Sequence, residues 1–259
     1  MIPALLIHQV RYDLLASLRN PRARFFTFFF PVLLLVVFAG LFGHGTTTFD
    51  GVRISLARFY VSGILAMSII TVAYGNIVIS IASARETGVL KRRRATPVPP
   101  AVLIAAQAIT TLLIVVLMAS ILLLIARVGY DVSMPLSGLA AIACTLVVGT
   151  LAFACLGYAV AGKVGTLEAA LPVVQVTTLP LYFISGIWIP SAQLGHTLQN
   201  IAAIFPVEHL AAAMHLASVH GSLSAALSAR DLLVLSAWAL AAAAFAARRF
   251  SWLPGSATA

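Results

Sequence analysis

Long stretches without a single charged residue dominate this chain of 259 residues. A helix needs about 20 apolar residues to cross the hydrocarbon core of a bilayer, and most of these stretches reach that length. Together they can hold about six membrane spans, and the longest must contain more than one element. The charge-free stretches cover residues 25–49, 59–84, 95–126, 132–162, 169–207, 209–229 and, more briefly, 232–247.

The composition excludes a soluble or a disordered chain. Hydrophobic residues make up 61% of the sequence and charged residues only 9%, whereas about 25% of residues are charged in a typical soluble domain. A water-soluble protein of this size cannot cover so much apolar surface with polar groups. Barrel strands would alternate in polarity, but the apolar runs here are continuous. The sequence therefore predicts an all-α integral membrane protein with six transmembrane helices.

The basic residues indicate an orientation in the membrane. In a soluble chain the net charge of +9 would suggest nucleic acid as a partner; here we interpret it as a positive-inside bias, and expect no nucleic acid. Six spans would leave Arg53, Arg58, Arg127 and Arg230 outside. The other basic residues would lie inside with both termini, as in a multi-pass protein of the bacterial cytoplasmic membrane: Arg11, Arg19, Arg22, Arg24, Arg85, Lys91, Arg92, Arg93, Arg94, Lys163, Arg248 and Arg249.

Three regions are predicted along the chain. Residues 1–24 would contain an amphipathic helix that lies along the cytoplasmic face of the membrane. Residues 25–250 would form the six-helix domain, and residues 251–259 a cytoplasmic tail. The apolar face predicted for the first helix consists of Leu6, Ile7, Val10, Leu14, Leu15 and Leu18.

The segment between the fifth and sixth spans is the irregular part of the sequence. Gly186 and Pro190 end the fifth span, and Pro206 separates two short apolar pieces. Residues 191–229 are therefore predicted to form an outer hairpin of short helices that re-enters the membrane. His209 and His215 would point about 120° apart on a helix, so we interpret them as polar residues of the outer face and predict no metal site.

An energy source of its own is not predicted for this chain. All seven acidic residues lie at predicted span ends or in loops, whereas proton- and sodium-driven carriers usually hold an ionisable group inside the membrane. Residues 157–163 nearly match a phosphate-binding loop. However, Val164 stands where a Ser or Thr would bind magnesium, and no strand precedes the segment. The energy for any pumping is expected to come from another subunit.

Polar residues follow a helical spacing on two of the predicted spans. Such faces form either hydrogen bonds between the helices of one subunit or the wall of a transport path or subunit seam, and the sequence leaves both open. The members of each face lie on one side of their helix. They are Asn76 and Ser80 on the second span, and Gln175, Thr178, Tyr182 and Ser185 on the fifth.

The segment 85–100 carries the strongest local pattern, Arg-Glu-Thr-Gly-Val-Leu-Lys-Arg-Arg-Arg-Ala-Thr-Pro-Val-Pro-Pro. Glu86 could cap or begin a short helix with the basic run at its carboxyl end, as the helix dipole favours. Pro97 would end that helix. A basic anchor against anionic lipid would account for the charges alone. That function does not need the acid, the glycine and the prolines at fixed places.

At residues 85–97 the sequence resembles the first cytoplasmic loop of the membrane subunit of ABC-2 type exporters. A second match covers Leu179 to Pro190, followed by Ile204-Phe205-Pro206, and is similar to the fifth helix and outer re-entrant hairpin of that family. The daunorubicin-resistance branch looks nearest. The resemblance covers the whole six-span pattern.

The resemblance implies a permease subunit that pairs with a second permease, the same or a different chain, and docks a dimeric ABC ATP-binding subunit. ATP and magnesium would bind that partner, and this chain would carry no cofactor, metal or catalytic site. Membrane lipids would surround it. The coupling helix 85–97 would include Arg85, Glu86, Gly88, Leu90, Lys91, Arg92, Arg93, Arg94 and Pro97. Spans 1, 2 and 5 would line the path or the dimer seam, which favours the two polar faces above; Gly186, Pro190 and Pro206 would belong to the outer hairpin.

The expected function is export of a drug, lipid or glycan-like amphipathic substrate. One alternative is a secondary carrier or channel, which would need a charged intramembrane site or would work without an ATPase. A membrane-embedded lipid enzyme is another, and would need an acidic cluster or a His–Glu set at the interface; the sequence suggests none. A membrane scaffold would not need the motif at 85–97.

Overall fold

Six helices that are long and apolar enough to cross a membrane form the body of the protein, in agreement with the prediction. The computed structural model describes residues 2–89, 92, 100–220 and 222–249. We number the helices span 1 to span 6 in chain order. They are Phe25–Phe42, Leu56–Glu86, Pro100–Tyr130, Leu136–Ala161, Leu167–Ile184 and Ala229–Arg249.

Shorter elements lie before and between the spans. The N-terminal helix, Ile2–Arg19, is followed by a helical turn, Pro21–Arg24. Two antiparallel strands, Thr46–Phe49 and Val52–Ser55, connect spans 1 and 2. We call the end of the body that carries these strands the hairpin end, and the opposite end, where span 2 ends, the basic end. The segment between spans 5 and 6 contains Ser191–Gln193, His196–Ala202, Pro206–Val219 and Leu223–Ala226.

Span 2 forms the centre of the body. Most of its side chains are buried, whereas few of those on spans 1, 5 and 6 are buried. The exposed side chains on spans 1 and 5 include large apolar ones, such as Phe29, Val36 and Val176. A helix with an apolar outer face is stable only against lipid or another protein. Spans 1 and 5 therefore present faces that suit lipid or a second subunit.

Two of the spans contain a turn of π-helix. The first turn is Phe25–Phe29 at the start of span 1, and the second is Thr71–Gly75 in the middle of span 2. Single π-turns inside α-helices are uncommon and frequently mark functional sites. Span 5 remains helical through Pro172 and Pro180.

The N-terminal helix packs against span 3. Its partly buried side includes Leu6, Val10, Leu14 and Leu18, as predicted. Ile7 is 70% exposed and Leu15 is also exposed, so these two members of the predicted apolar face do not pack against span 3. An exposed apolar strip beside the packed face suits a helix that also touches lipid. Its placement along the membrane surface stays a prediction.

The segment between spans 5 and 6 leaves the hairpin end and returns to it. Helices His196–Ala202 and Pro206–Val219 are bent by 100° at a short break, which is the geometry of a re-entrant pair. The second of them, which we call the re-entrant helix, is buried against spans 2, 4 and 6. Packing of this kind is what allows non-spanning backbone at membrane depth.

Candidate functional site

Arg85 lies inside the body at the basic end and is only 5% exposed. Its Nη1 donates hydrogen bonds to the carbonyl oxygens of Ala161, at 3.1 Å, and Val164, at 2.6 Å. Ala161 is the last residue of span 4 and Val164 lies in the turn that follows it. The last backbone carbonyls of a helix lack partners within that helix. A cation there also suits the helix dipole. The predicted coupling helix 85–97 is corrected at its start, because Arg85 and Glu86 belong to the last turn of span 2 and the guanidinium of Arg85 faces inward.

Glu86 is exposed and holds the start of span 5. Its Oε1 accepts a hydrogen bond from the backbone N–H of Leu167, at 3.4 Å. Thr166 Oγ1 accepts another from the N–H of Ala169, at 3.2 Å, as an N-cap residue does. Two consecutive residues of span 2 thus hold the end of span 4 and the beginning of span 5. A movement of span 2 at this end would be passed directly to both neighbours.

Gly88 ends span 2 in a left-handed conformation, with φ of +68°. Its N–H donates to the carbonyl of Arg85, at 3.2 Å, which is the usual glycine termination of a helix. Arg92 then returns to this turn. Its backbone N–H donates to the carbonyl of Gly88 and its Nη2 to that of Thr87, each at 3.1 Å. The other predicted coupling residues, Leu90, Lys91, Arg93, Arg94 and Pro97, lie outside the described residues.

Spans 1 and 2 are joined by a polar contact at their π-turns. Asn76 Nδ2 donates to Thr27 Oγ1 at 3.0 Å. Thr27 lies within the first π-turn and is buried, and Asn76 directly follows the second. Asn76 was predicted to belong to a polar face, but Thr27 was not. A single Thr among five phenylalanines gives no sign in the sequence that it makes a polar contact. Ser80 is exposed on the same span and donates to the carbonyl of Ile77 in its own helix.

Span 5 is joined to span 2 by another polar contact. The hydroxyl oxygens of Tyr74 and Thr177 lie 2.8 Å apart. The four polar residues predicted to form one face of span 5 differ in their burial. Its buried members are Thr178, Tyr182 and Ser185, whereas Gln175 is exposed. Thr178 and Tyr182 therefore lie in the contact between spans 2 and 5, in line with the helix-to-helix alternative in this conformation.

The outer hairpin begins with a tight turn packed on span 2. Gly186 has φ of +73°, and its carbonyl accepts from His215 Nε2 at 2.9 Å. A Cβ on Gly63 would lie 2.3 Å from the carbonyl oxygen of Ile187, so the turn sits directly on the backbone of span 2. Pro190 and Pro206 take the expected positions, immediately before the 3₁₀ turn and at the first position of the re-entrant helix.

The interpretation of His209 and His215 as polar residues of the outer face was wrong, because both are buried. The ring of His215 stacks on Phe59, with centroids 4.5 Å apart and planes 9° apart. Because the carbonyl of Gly186 can only accept, His215 Nε2 carries a proton and donates this hydrogen bond. The His215 ring therefore packs in the core as an aromatic side chain and makes one hydrogen bond.

His209 belongs to a cluster with Glu208 and Asp231, and the expectation that no such set exists is corrected. Its Nδ1 lies 2.7 Å from Asp231 Oδ1 and its Nε2 lies 3.0 Å from the carbonyl of Ala203. Both ring nitrogens thus already face acceptors, and Ser228 accepts from the N–H of Asp231 as an N-cap of span 6. The contacts tie the re-entrant helix to span 6.

A comparison with protein families identifies a family to which most of the chain is similar. The family described as ABC-2 type transporter matches residues 5–217, which is most of the chain. No match was found among curated proteins. The matched region includes spans 1–5 and most of the re-entrant helix, and therefore all the contacts of Arg85, Glu86 and the two polar bridges described above.

Proposed function

The chain belongs to the ABC-2 type transporter family, as a permease subunit, and from that premise we propose that it is the membrane subunit of an ATP-driven exporter. The observation that carries the proposal is the connection made by Arg85 and Glu86. These neighbours hold the end of span 4 and the start of span 5 directly before the turn at Gly88. A force applied beyond Gly88 therefore reaches three spans at once.

The partners follow from this mechanical arrangement. An ABC ATP-binding subunit, carrying ATP and magnesium, would dock on the residues after Gly88, and the N-terminal helix would be its second contact. The basic end would then face the cytoplasm of a bacterial cell, with both termini on that side. Support comes from the sequence, where most of the arginines and lysines fall at that end. A second permease subunit would cover the exposed apolar faces of spans 1 and 5.

The substrate path would run along spans 1, 2 and 5. Support comes from the polar bridges that close these spans on one another, Thr27 to Asn76 and Tyr74 to Thr177. Each bridge joins uncharged side chains, whose hydrogen bonds can break and re-form at a net cost of about 1 kcal/mol each. An uncharged path of this kind suits an amphipathic drug, lipid or glycan-like substrate. Partner movement would part these helices and expose the buried Thr178.

The docking assignment is tested by Gly88→Ala and Glu86→Gln. Alanine at a φ of +68° costs about 1 kcal/mol and would turn the following residues away from their present direction. Glutamine keeps the acceptor of Glu86 but removes its charge. We expect both variants to reach the membrane. Gly88→Ala should lose most of its ATP-dependent export and most of its co-purification with the ATPase. Glu86→Gln should lose part of its export and part of its co-purification.

The matched control is Gly51→Ala, because Gly51 also has a left-handed conformation, with φ of +73°, lies in the strand turn at the opposite end of the body, and would place its Cβ within 4 Å of none of the described atoms. Its export should equal that of the native chain. Normal export and normal ATPase binding by Gly88→Ala and Glu86→Gln would remove the docking role from this turn. Export that continues without any ATPase would instead favour the secondary carrier.

The path is tested by a single cysteine at Thr178, introduced after Cys144 and Cys155 have been replaced by alanine. Thr178 is 6% exposed, so a charged thiol reagent should react slowly in the resting protein. During ATP turnover we expect labelling to accelerate about tenfold, as a shift toward an open state requires. Val176→Cys is the control, since Val176 is 74% exposed on the apolar outer face. Equal ATP dependence at both positions would contradict the path.

A further inference from the structure

A cleft at the basic end is formed by spans 4, 5 and 6, and one of its lining residues, Val164, also takes part in the coupling contacts. It has a volume of about 370 Å³, and apolar atoms make up most of its wall. The residues that matter for its chemistry are Lys163 at its mouth, Ala169 and Val173 on span 5, Val160 on span 4 and Phe245 on span 6.

The cleft extends from the end of the spans toward the membrane interior. Lys163 lies in the turn after span 4, whereas Val173 lies six residues into span 5, about 9 Å deeper at the helical rise of 1.5 Å per residue. An occupant would therefore have one part at the level of the span ends and another part among hydrocarbon. Water-soluble ions do not fit the deeper, apolar part.

The charge at the mouth of the cleft is positive. Lys163 Nζ lies 5.2 Å from the centre of the Phe245 ring, which holds the ammonium group over the opening. Among the described residues, no carboxylate forms an ion pair with it. Glu86 is bound to the N–H of Leu167, and Glu168, though exposed on span 5, is not among the residues that line the cleft.

We infer that this cleft binds an anionic glycerophospholipid, with its phosphate at Lys163 and one acyl chain between Val160, Val173 and Phe245. A single negative headgroup attached to a flexible apolar chain matches the charge at the mouth and the apolar depth. A zwitterionic headgroup would bring its own cation close to the Lys163 ammonium. Free phosphate would fill only the mouth.

The bound lipid would also brace the coupling contacts. Val164 lines the cleft, and its carbonyl accepts from Arg85 Nη1 at 2.6 Å. A lipid against this turn would restrict the acceptor that Arg85 uses to hold span 4. Only this consequence rests on the proposed function; the lipid site itself rests on the cleft and Lys163.

The test is native mass spectrometry of the purified full chain, titrated with dioleoylphosphatidylglycerol or dioleoylphosphatidylcholine. We expect the native chain to retain phosphatidylglycerol preferentially. Lys163→Gln should weaken that binding about fivefold, the contribution expected of one lysine at an anionic surface. Ala169→Phe should fill the cleft and abolish retention of the bound lipid, whereas the matched control Leu171→Phe, which is 54% exposed and lies on the opposite side of the same helix, should not change it.

Several results would overturn the site. Equal binding of the two lipids, or unchanged phosphatidylglycerol binding in Lys163→Gln, would remove the headgroup role of Lys163. Because Lys163 is exposed, that variant should fold even if Ala169→Phe does not. Displacement of the lipid by inorganic phosphate, or pairing of two copies through this face, would show a different occupant. No result depends on ATP, so failure here is distinct from failure of the exporter proposal.

Discussion

Replacement of Arg85 by alanine is expected to abolish most ATP-driven export and to lower the free energy of unfolding by about 2–4 kcal/mol. The substitution removes a buried donor from the carbonyls of Ala161 and Val164 at the same time. Buried acceptors without a partner bear the full cost of their lost hydration. Export would fall further than stability alone explains, because span 4 would no longer follow span 2.

Two companion variants separate coupling from a general loss of stability. Arg127→Ala removes an arginine that is 60% exposed in its pair with Asp131, and should cost at most about 1 kcal/mol. Arg85→Lys keeps the charge but lacks the planar fork, so we expect intermediate stability and poor export. Export, co-purification with the ATPase and thermal unfolding would be measured together. Full export by Arg85→Ala at normal protein levels would contradict the connection through spans 2 and 4.

The number and positions of the spans were predictable from the sequence because lipid is a demanding solvent. Every backbone N–H and C=O inside the membrane must form a hydrogen bond within the protein, and an α-helix provides these bonds within one segment. A helix of about 20 apolar residues is long enough to cross the bilayer. The end of span 2 was also predictable in outline. The charge-free stretch 59–84 indicates roughly where it ends, whereas the termination by Gly88 and the contact of Glu86 with the start of span 5 were not predicted.

The direction of individual side chains was less predictable. Arg85 is one of a cluster of basic residues in the sequence, and only the closeness of the span 4 end shows that it faces inward. The pairing of His209 with Asp231 joins residues separated by 22 positions. Thr177 is one position away from a predicted residue, and its contact with Tyr74 depends on how spans 2 and 5 are rotated. Helical periodicity gives the relative spacing of side chains but not this rotation.

Small residues explain how the outer hairpin enters the body, which the sequence analysis did not foresee. Gly63 on span 2 and Gly138 on span 4 have no Cβ where the backbone carbonyls of Ile187 and Ala217 approach. Backbone carbonyls cannot move aside as a flexible side chain can. Close packing of helices against glycine is common in membrane proteins. Inside a bilayer the hydrophobic effect does not drive helices together, so van der Waals contact at small residues contributes more to their association. The depth of the hairpin is therefore set by two glycines far from it in sequence.

Gly63→Ala is accordingly expected to be the most damaging small substitution on span 2. Its Cβ would lie 2.3 Å from the oxygen and 3.1 Å from the carbon of the Ile187 carbonyl, so the turn must withdraw. Overpacking of this kind costs about 1–3 kcal/mol. Withdrawal would also lengthen the His215 contact with Gly186, since both depend on the same turn. We expect a lower unfolding temperature and increased protease cleavage between spans 5 and 6.

Gly129→Ala is the matched control for that experiment, because Gly129 lies within the span 3 helix and its Cβ would meet none of the described atoms within 4 Å. Alanine should there raise stability by up to about 1 kcal/mol through its higher helix propensity. The two substitutions thus have opposite expected signs although each adds one methyl group to a helix. A Gly63→Ala protein as stable as Gly129→Ala would mean that the hairpin turn does not rest on span 2, and that another contact sets its depth.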